Sequence, residues 1–476
     1  MVRRAYRQRS LVEVLLPDAD KLWDDELRRI DAVLDDEAIV DLVDAALRGR
    51  RPQSATRGRL GTPVVVVLRM LVLKHLYDWS FAEGEREVRR SLVYRAFCRI
   101  DGERVPDAKT LIRLTAVLGP ATLKGIVARL VHLARERRVV RGRRLRVDTT
   151  VVETNIHYPT DSALLADGVR VLTRTMHQIR AEVTDVGGAV RDRTRSLAQR
   201  VFEITQRSRK ATARTGAAVR EQTKARMMQL YREAMTITRA TVRQAETVSE
   251  AVAETVDLGV QALRDQLRET VGLVRRVLAQ TRARVLKGDT HYPDKLLSIF
   301  EPQTEAIRKG KAAKPTEFGK LVKIQEAEAG LITDYTVCPT RVPDQELWVP
   351  SLTQHQDLFG QPPQLAVADG GFASAANERA ATELGVGKVV LPRPRGRPGP
   401  QAKPPPARQR WFRRALRWRT GCEGRISVLK RCHGLRRCRY RGLRGMERWV
   451  GLGVIANDLR VLARAGPGGR PCTAKR

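Results

Sequence analysis

Three acids stand out by type and setting. Asp148 sits in Arg144-Leu145-Arg146-Val147-Asp148-Thr149-Thr150-Val151-Val152-Glu153, a β-branched run that predicts a short strand. Leu145 and Val147 share one face, so Asp148 faces the other. A carboxylate within a core strand is costly unless something binds it. A divalent metal is one such partner; hydrogen bonding or solvation at a strand end is the plainer alternative. Asp369 follows the apolar run Gln364-Leu365-Ala366-Val367-Ala368 and precedes Gly370-Gly371, which permit a sharp turn. It reads either as a carboxylate at the carboxyl end of a strand or as a turn-forming Asp-Gly. Glu423 lies in Arg419-x3-Glu423-x6-Lys430, which on a helix places two cations and the acid on one face. The acid could hold metal while Arg419 and Lys430 grip phosphates, or the three could form a solvated salt-bridge stripe. Glu153, an odd offset from Asp148, points the other way.

The elements that must position these acids are legible in outline. Residues 1–140 read as a basic helical domain. Thr62 is expected to cap a helix with Pro63 at its first position, and Ser80-Phe81-Ala82-Glu83 forms a capping box. Val105-Pro106-Asp107 starts a further helix, and another covers Ala121 to Arg138. Residues 141–160 carry the Asp148 strand. A helical insertion over 161–290 follows, with 133 proline-free residues between Pro159 and Pro293. Its apolar stripe from Val248 to Leu278 predicts one long helix paired with an earlier one between Leu172 and Tyr231, coiled-coil-like. His157-Tyr158-Pro159 and His291-Tyr292-Pro293 bracket it, either as a metal or phosphate contact made twice or as similar loops where the chain leaves and re-enters one core. Residues 291–465 supply a hairpin (318–327 and 331–337), a helix near 343–358, strands at 364–368 and 388–392 around a helix at 374–384, a basic Pro-rich linker at 393–410 and terminal basic helices. Residues 466–476 are expected to be a disordered tail. Strand, hairpin, helix, strand, helix, strand, helix is a mixed α/β order in which Asp148 and Asp369 could lie on neighbouring strands.

Composition narrows the partner. The chain has 89 Lys plus Arg against 53 Asp plus Glu, a net charge of +36 spread along its length. That favours nucleic acid, with a ribosome-associated or merely Arg-rich protein as the alternative. Six irregularly spaced cysteines make no disulfide framework. The amino terminus has no apolar core after its charges, and the longest apolar run is broken by Arg69, Lys74 and His75; no membrane segment is expected, and a cytoplasmic location is. There is no P-loop, so no nucleotide cofactor is expected.

The set Asp148, Asp369-Gly370-Gly371-Phe372 and Arg419-x3-Glu423-x6-Lys430 resembles the DDE transposases of bacterial insertion sequences. Leu71 to Tyr77 and Val105 to Leu111 resemble their helical amino-terminal region. Lys309-Gly310-Lys311 with Lys314 to Lys320 resembles the run into their second strand, and His433 to Gly442 the basic segment after the catalytic Glu. Leu416 stands where the family often has Tyr, three residues before the Arg. Asp148 and Asp369 are 221 positions apart; without the 133 proline-free residues, 88 remain, a usual spacing for that fold. The resemblance implies an α/β, ribonuclease-H-like mixed-sheet core with an N-terminal all-α DNA-binding domain and a long helical insertion. It further implies two Mg²⁺ or Mn²⁺ ions held by Asp148, Asp369 and Glu423, cleaving and transferring DNA strands. Arg419, Lys430, Arg436, Arg437, Arg439 and Arg441 would contact phosphates of terminal inverted repeats and target DNA, with the protein working as a homo-oligomer, nucleoid-associated when bound. The competing readings are a non-catalytic DNA-binding protein or decayed transposase, and a structural coiled-coil protein.

Overall fold

A computed structural model describes residues 1–5, 23–51, 53, 60–183, 188–210, 217–308, 315–392 and 409–465. The linker expected at 393–410 falls almost wholly outside them, as does the tail at 466–476. The chain divides into two compact bodies, Met1–Asn155 with Ile307–Arg476, and Ile156–Ala306.

In the first body seven helices precede the sheet among the described residues: α1 (Asp25–Leu34), α2 (Glu37–Arg48), α3 (Val64–Leu76), α4 (Phe81–Arg90), α5 (Leu92–Phe97), α6 (Ala108–Thr115) and α7 (Pro120–Glu136). The capping box at Ser80 and Glu83 is present in both directions, and Asp107 caps α6 through Thr110 N–H. The start of α3 differs from expectation. Pro63 is itself the extended N-cap residue, and the helix begins at Val64 without a side-chain cap. Two of its orphan amides are instead satisfied by backbone, Val64 N–H donating to Arg3 O at 2.9 Å and Val65 N–H to Arg4 O at 3.2 Å. The α3 helix is apolar on nearly every side and is buried accordingly. Its one buried guanidinium, Arg69, pairs with Asp31 at 3.2 Å and Asp35 at 2.5 Å. Lys74, also buried, lies 4.5–5.3 Å from the ring centroids of Phe81, Tyr440 and Trp449. Burial pulls the Lys74 ammonium down to about 7, against the attraction of those ring faces for its charged form.

The sheet has six strands: β1 (Arg144–Glu153), β2 (Glu305–Arg308), β3 (Thr316–Glu326), β4 (Ile332–Val337), β5 (Leu365–Val367) and β6 (Val389–Val390). The order is β2-β3-β1-β5-β6, with β4 also paired to β3. β1 and β3 are antiparallel, from Arg146 opposite Glu326 to Glu153 opposite Gly319, whereas β1, β5 and β6 are parallel. Alternation along β1 sorts its side chains as the pleat requires. Leu145 and Val147 join Trp348, Leu352, Phe372 and Ala381 in one core, built with α12 (Trp348–Phe359) and α13 (Ala375–Glu383). Val152 points the other way, into a core shared by α1–α7, the β3–β4 hairpin and two late helices, α14 (Arg410–Cys432) and α15 (Gly442–Arg464). The helices before β1 therefore share a single core with the carboxyl-terminal helices. Fully burying one such large apolar side chain stabilises by about 1.5–3 kcal/mol.

The second body is helical: α8 (Asp161–Glu182), α9 (Thr194–Lys210), α10 (Ala217–Ala251) and α11 (Leu258–Thr281). The stripe expected to form one long helix is split between α10 and α11. Val248, Val252 and Val260 are buried, but Val256 is 91 % exposed in the turn between them. Asp257 caps the restart, accepting from Gly259 N–H at 2.7 Å and Val260 N–H at 3.0 Å. Helices α8 and α11 approach closely at Gly168, where an added Cβ would lie 2.6 Å from Val274 Cγ2. Among the described residues no single helix is long and apolar enough to cross a membrane.

Candidate active site

The β1–β5 ladder runs from Arg144 opposite Leu365 to Arg146 opposite Val367. The same offset, continued two residues, sets Asp148 level with Asp369. Asp369 is still extended (φ −80°, ψ 177°) before the chain turns into the short 3₁₀ segment Gly370–Phe372, and its Oδ1 accepts from Gly371 N–H at 2.7 Å. Asp148 Oδ1 likewise accepts from the backbone, Thr149 N–H at 2.7 Å. β5 ends at Val367 while β1 runs on to Glu153. At Glu153 the same edge of β1 meets another segment, with Glu153 N–H donating to Arg436 O at 3.3 Å and Cys438 N–H to Glu153 O at 2.7 Å. Asp148 thus sits where the edge of β1 passes between these two partners, beside the carboxyl end of a parallel strand. In α/β sheets this is where ligands enter.

A third carboxylate, which sequence reasoning missed, lies at the same rim. Asp344 Oδ1 accepts from the Thr149 hydroxyl at 3.0 Å. Gly371 separates Asp344 from Asp369: a Cβ there would stand 2.8 Å from Asp344 Oδ2 and 3.0 Å from Asp369 Oδ1. The only sequence signal is an acid next to Pro343 at a helix start, which reads as capping.

Helix α14 carries Glu423 across the face of β1 that bears Arg146 and Asp148. Arg146 fixes the crossing. Its guanidinium donates to Trp418 O at 2.5 Å and forks onto the fully buried carboxylate of Glu326, with Nε to Oε2 at 2.8 Å. Arg425 of α14 reaches the same carboxylate at 3.5 Å and Asn457 of α15 at 3.0 Å. Gly421 allows this approach, because a Cβ there would collide with the Arg146 guanidinium. The Cys422 thiol faces the sheet; burial first, then the charges of Glu326 and Asp148, push it well above its usual range. Glu423 is one residue further round the helix. Its side chain is 61 % exposed and pairs with Arg419 at 3.5 Å.

The ladder, continued two residues past Arg146 and Val367, would bring Asp148 and Asp369 to one level, and Cys422 sets the helix of Glu423 over Asp148, while the Glu423 carboxylate itself turns to Arg419. Among the described residues no three His, Cys, Asp or Glu side chains are grouped closely enough to hold a metal ion. The donors at the rim are all carboxylate oxygens, which suit a hard cation. Lys430 lies half-buried on α14, next to buried Leu429. Of the basic segment, Arg436 and Arg441 are exposed, Arg437 pairs with Glu153 at 3.7 Å, and Arg439 pairs with Asp78 at 3.3 Å.

Two families match parts of the chain. A transposase domain (DUF772) covers residues 17–116, and a transposase DDE domain covers residues 401–463, which include Glu423 and most of α15. No curated protein and no solved structure matches it.

Proposed function

We propose, for a chain that matches a transposase domain and a transposase DDE domain, that it is an insertion-sequence DDE transposase that cleaves and joins DNA strands at Asp148, Asp369 and Glu423. The observation that supports this reading is the β1–β5 register, Arg146 opposite Val367, which if continued two residues pairs Asp148 with Asp369, together with the crossing of the Glu423 helix over β1 at Arg146. The strand order supports a ribonuclease-H-like core: β4, β3 and β1 are antiparallel, the sheet continues from the other edge of β1 into parallel β5 and then β6, and helices pack on both faces.

These carboxylates would hold Mg²⁺ or Mn²⁺, two ions in the expected form. Bound metal would activate the attacking water or 3′-hydroxyl and stabilise the leaving oxygen. Magnesium is commonly held by one or two carboxylates completed by substrate phosphates, so an open protein set suits a site finished by DNA. Arg419 and Lys430 on α14 orient phosphates beside Glu423. DNA binding would displace Arg419 from Glu423, releasing the carboxylate toward Asp148. Asp344 holds Thr149, next to Asp148, and so positions the strand that carries it. The DNA is the terminal inverted repeats and the target, and a homo-oligomer brings two ends together.

The Arg419–Glu423 pair also favours a second reading, a protein that binds DNA without cutting it. Mg²⁺-dependent cleavage of terminal-repeat DNA by the full chain separates the two. Cleavage by the parent chain and its loss in Asp148→Ala and Glu423→Ala is the expected result. Salt-sensitive binding without any cleavage would leave the second reading in place.

A further inference from the structure

A second cleft lies at the opposite end of the same strands. It is a cavity of about 800 Å³ whose walls include Arg143, Arg144, Lys388, Arg414, Trp411 and Trp418. Arg143 and Arg144 stand at the start of β1 and Lys388 just before β6. Trp411, Arg414 and Trp418 recur at three and four residues, so they share one face of α14. No acid lines the cavity, and among the described residues none of its four cations is paired with a carboxylate. Its aromatic rings are interleaved with charge: Lys388 Nζ lies 4.9 Å from the Trp411 ring centroid, and the Arg144 guanidinium 6.0 Å from that of Trp418.

We propose that this cleft binds a single-stranded stretch of DNA, its phosphates on the four cations and its bases on Trp411 and Trp418. Cations alone would suit any polyanion. Recessed indoles add something only for unstacked bases, since duplex bases are stacked on one another and present no face to a ring. The cleft and the acids lie along one path. Arg144 is four residues from Asp148, about 13 Å along an extended strand. Helix α14 runs alongside, from Trp418 at Arg146 to Cys422 by Asp148. A strand freed at a cleaved end would therefore run along α14 into the cleft. This role rests on DNA being the substrate but needs no cleavage, so the two can fail separately.

The test uses the full chain without divalent metal and a twelve-nucleotide oligo-dT carrying 5-iodouracil, photo-crosslinked and mapped by mass spectrometry, with affinities from fluorescence anisotropy. Crosslinks are expected at Trp411 or Trp418, in the parent and in Asp148→Asn alike. Trp411→Ala should weaken single-strand binding roughly tenfold and Trp411→Phe should restore most of it, while affinity for a twelve-base-pair duplex stays within about twofold. Lys388→Glu with Arg414→Glu should flatten the dependence of log K on log salt by about 1.4, near 0.7 for each lost phosphate contact. Crosslinks confined to other residues, or equal effects of Trp411→Ala on single strand and duplex, would overturn the proposal. Failure of Mg²⁺-dependent cleavage with crosslinks still at Trp411 would instead remove the catalytic reading alone.

Discussion

The two ends of the parallel strands differ sharply in charge. At their carboxyl end the sheet presents Asp148, Asp369 and Asp344. At their amino end it presents Arg143, Arg144 and Lys388 with two tryptophans. Between them the buried Arg146–Glu326–Arg425 cluster ties β1, β3 and α14 together. In a chain of net charge +36, cations on a surface are the expected background, and three carboxylates at one strand end are the departure from it. Acids gathered there repel DNA phosphates unless cations come between. On the proposed reading the contrast divides the labour: the basic end would hold a strand, and the acidic end, with metal, would act on it.

The largest effect should come from the acidic end. Asp148→Asn and Asp369→Asn are each expected to lower the cleavage rate on the order of 10³-fold, several kcal/mol of lost charge stabilisation, with thermal unfolding nearly unchanged. A melting temperature lowered in parallel with activity would mean the acids serve folding. Next comes the cluster between the two ends. Glu326→Ala leaves Arg146 and Arg425 without their carboxylate in a buried setting, which should destabilise by about 3–5 kcal/mol in denaturant unfolding. A loss below about 1 kcal/mol would show a solvated surface pair instead.

A pH effect should follow from Asp458 on α15. It is fully buried, accepts from Ile332 N–H at 3.0 Å and from Asn457 at 2.8 Å, and burial raises its carboxyl to about 8. The folded form then keeps a proton that the unfolded chain releases near the ordinary value of 3.8. Stability should fall as pH rises from about 4 to about 8. Asp458→Asn should remove that part of the slope in unfolding titrations; an unchanged slope would contradict the raised value. The smallest effect lies in the helical insertion. Asp257→Ala removes the cap of α11 and should cost about 1 kcal/mol, read as faster hydrogen exchange in the first turn of α11 and not in α8.

What the sequence made legible was what depends on near neighbours. The capping box at Ser80, the alternation of β1 and the turn after Asp369 are local patterns, and each stands where it was read. The split between α10 and α11 was hidden because Val252, Val256 and Val260 keep helical spacing through a turn, so periodicity continued where the helix did not. Pro63 was read one position too far into α3; the helix starts at Val64, whose N–H and that of Val65 donate to Arg3 and Arg4, some sixty residues earlier. Asp344 and Glu326 belong to contacts with β1 that close over nearly two hundred residues, and no local pattern marks them. The spacing of Arg419 and Glu423 left two readings open, metal ligand or salt bridge, and the acid pairs with the arginine as the salt-bridge reading has it.

The central claim is that Asp148, Asp369 and Glu423 serve one metal-binding centre on DNA. Iron(II) substituted for Mg²⁺ in the complex with terminal-repeat DNA, followed by ascorbate and peroxide, cuts backbone next to the bound ion. Cuts clustered near residues 148, 369 and 423, all suppressed by excess Mg²⁺ and by Asp148→Ala, are the predicted result. Cuts near 148 and 369 without any near 423, or none that Mg²⁺ suppresses, would contradict it.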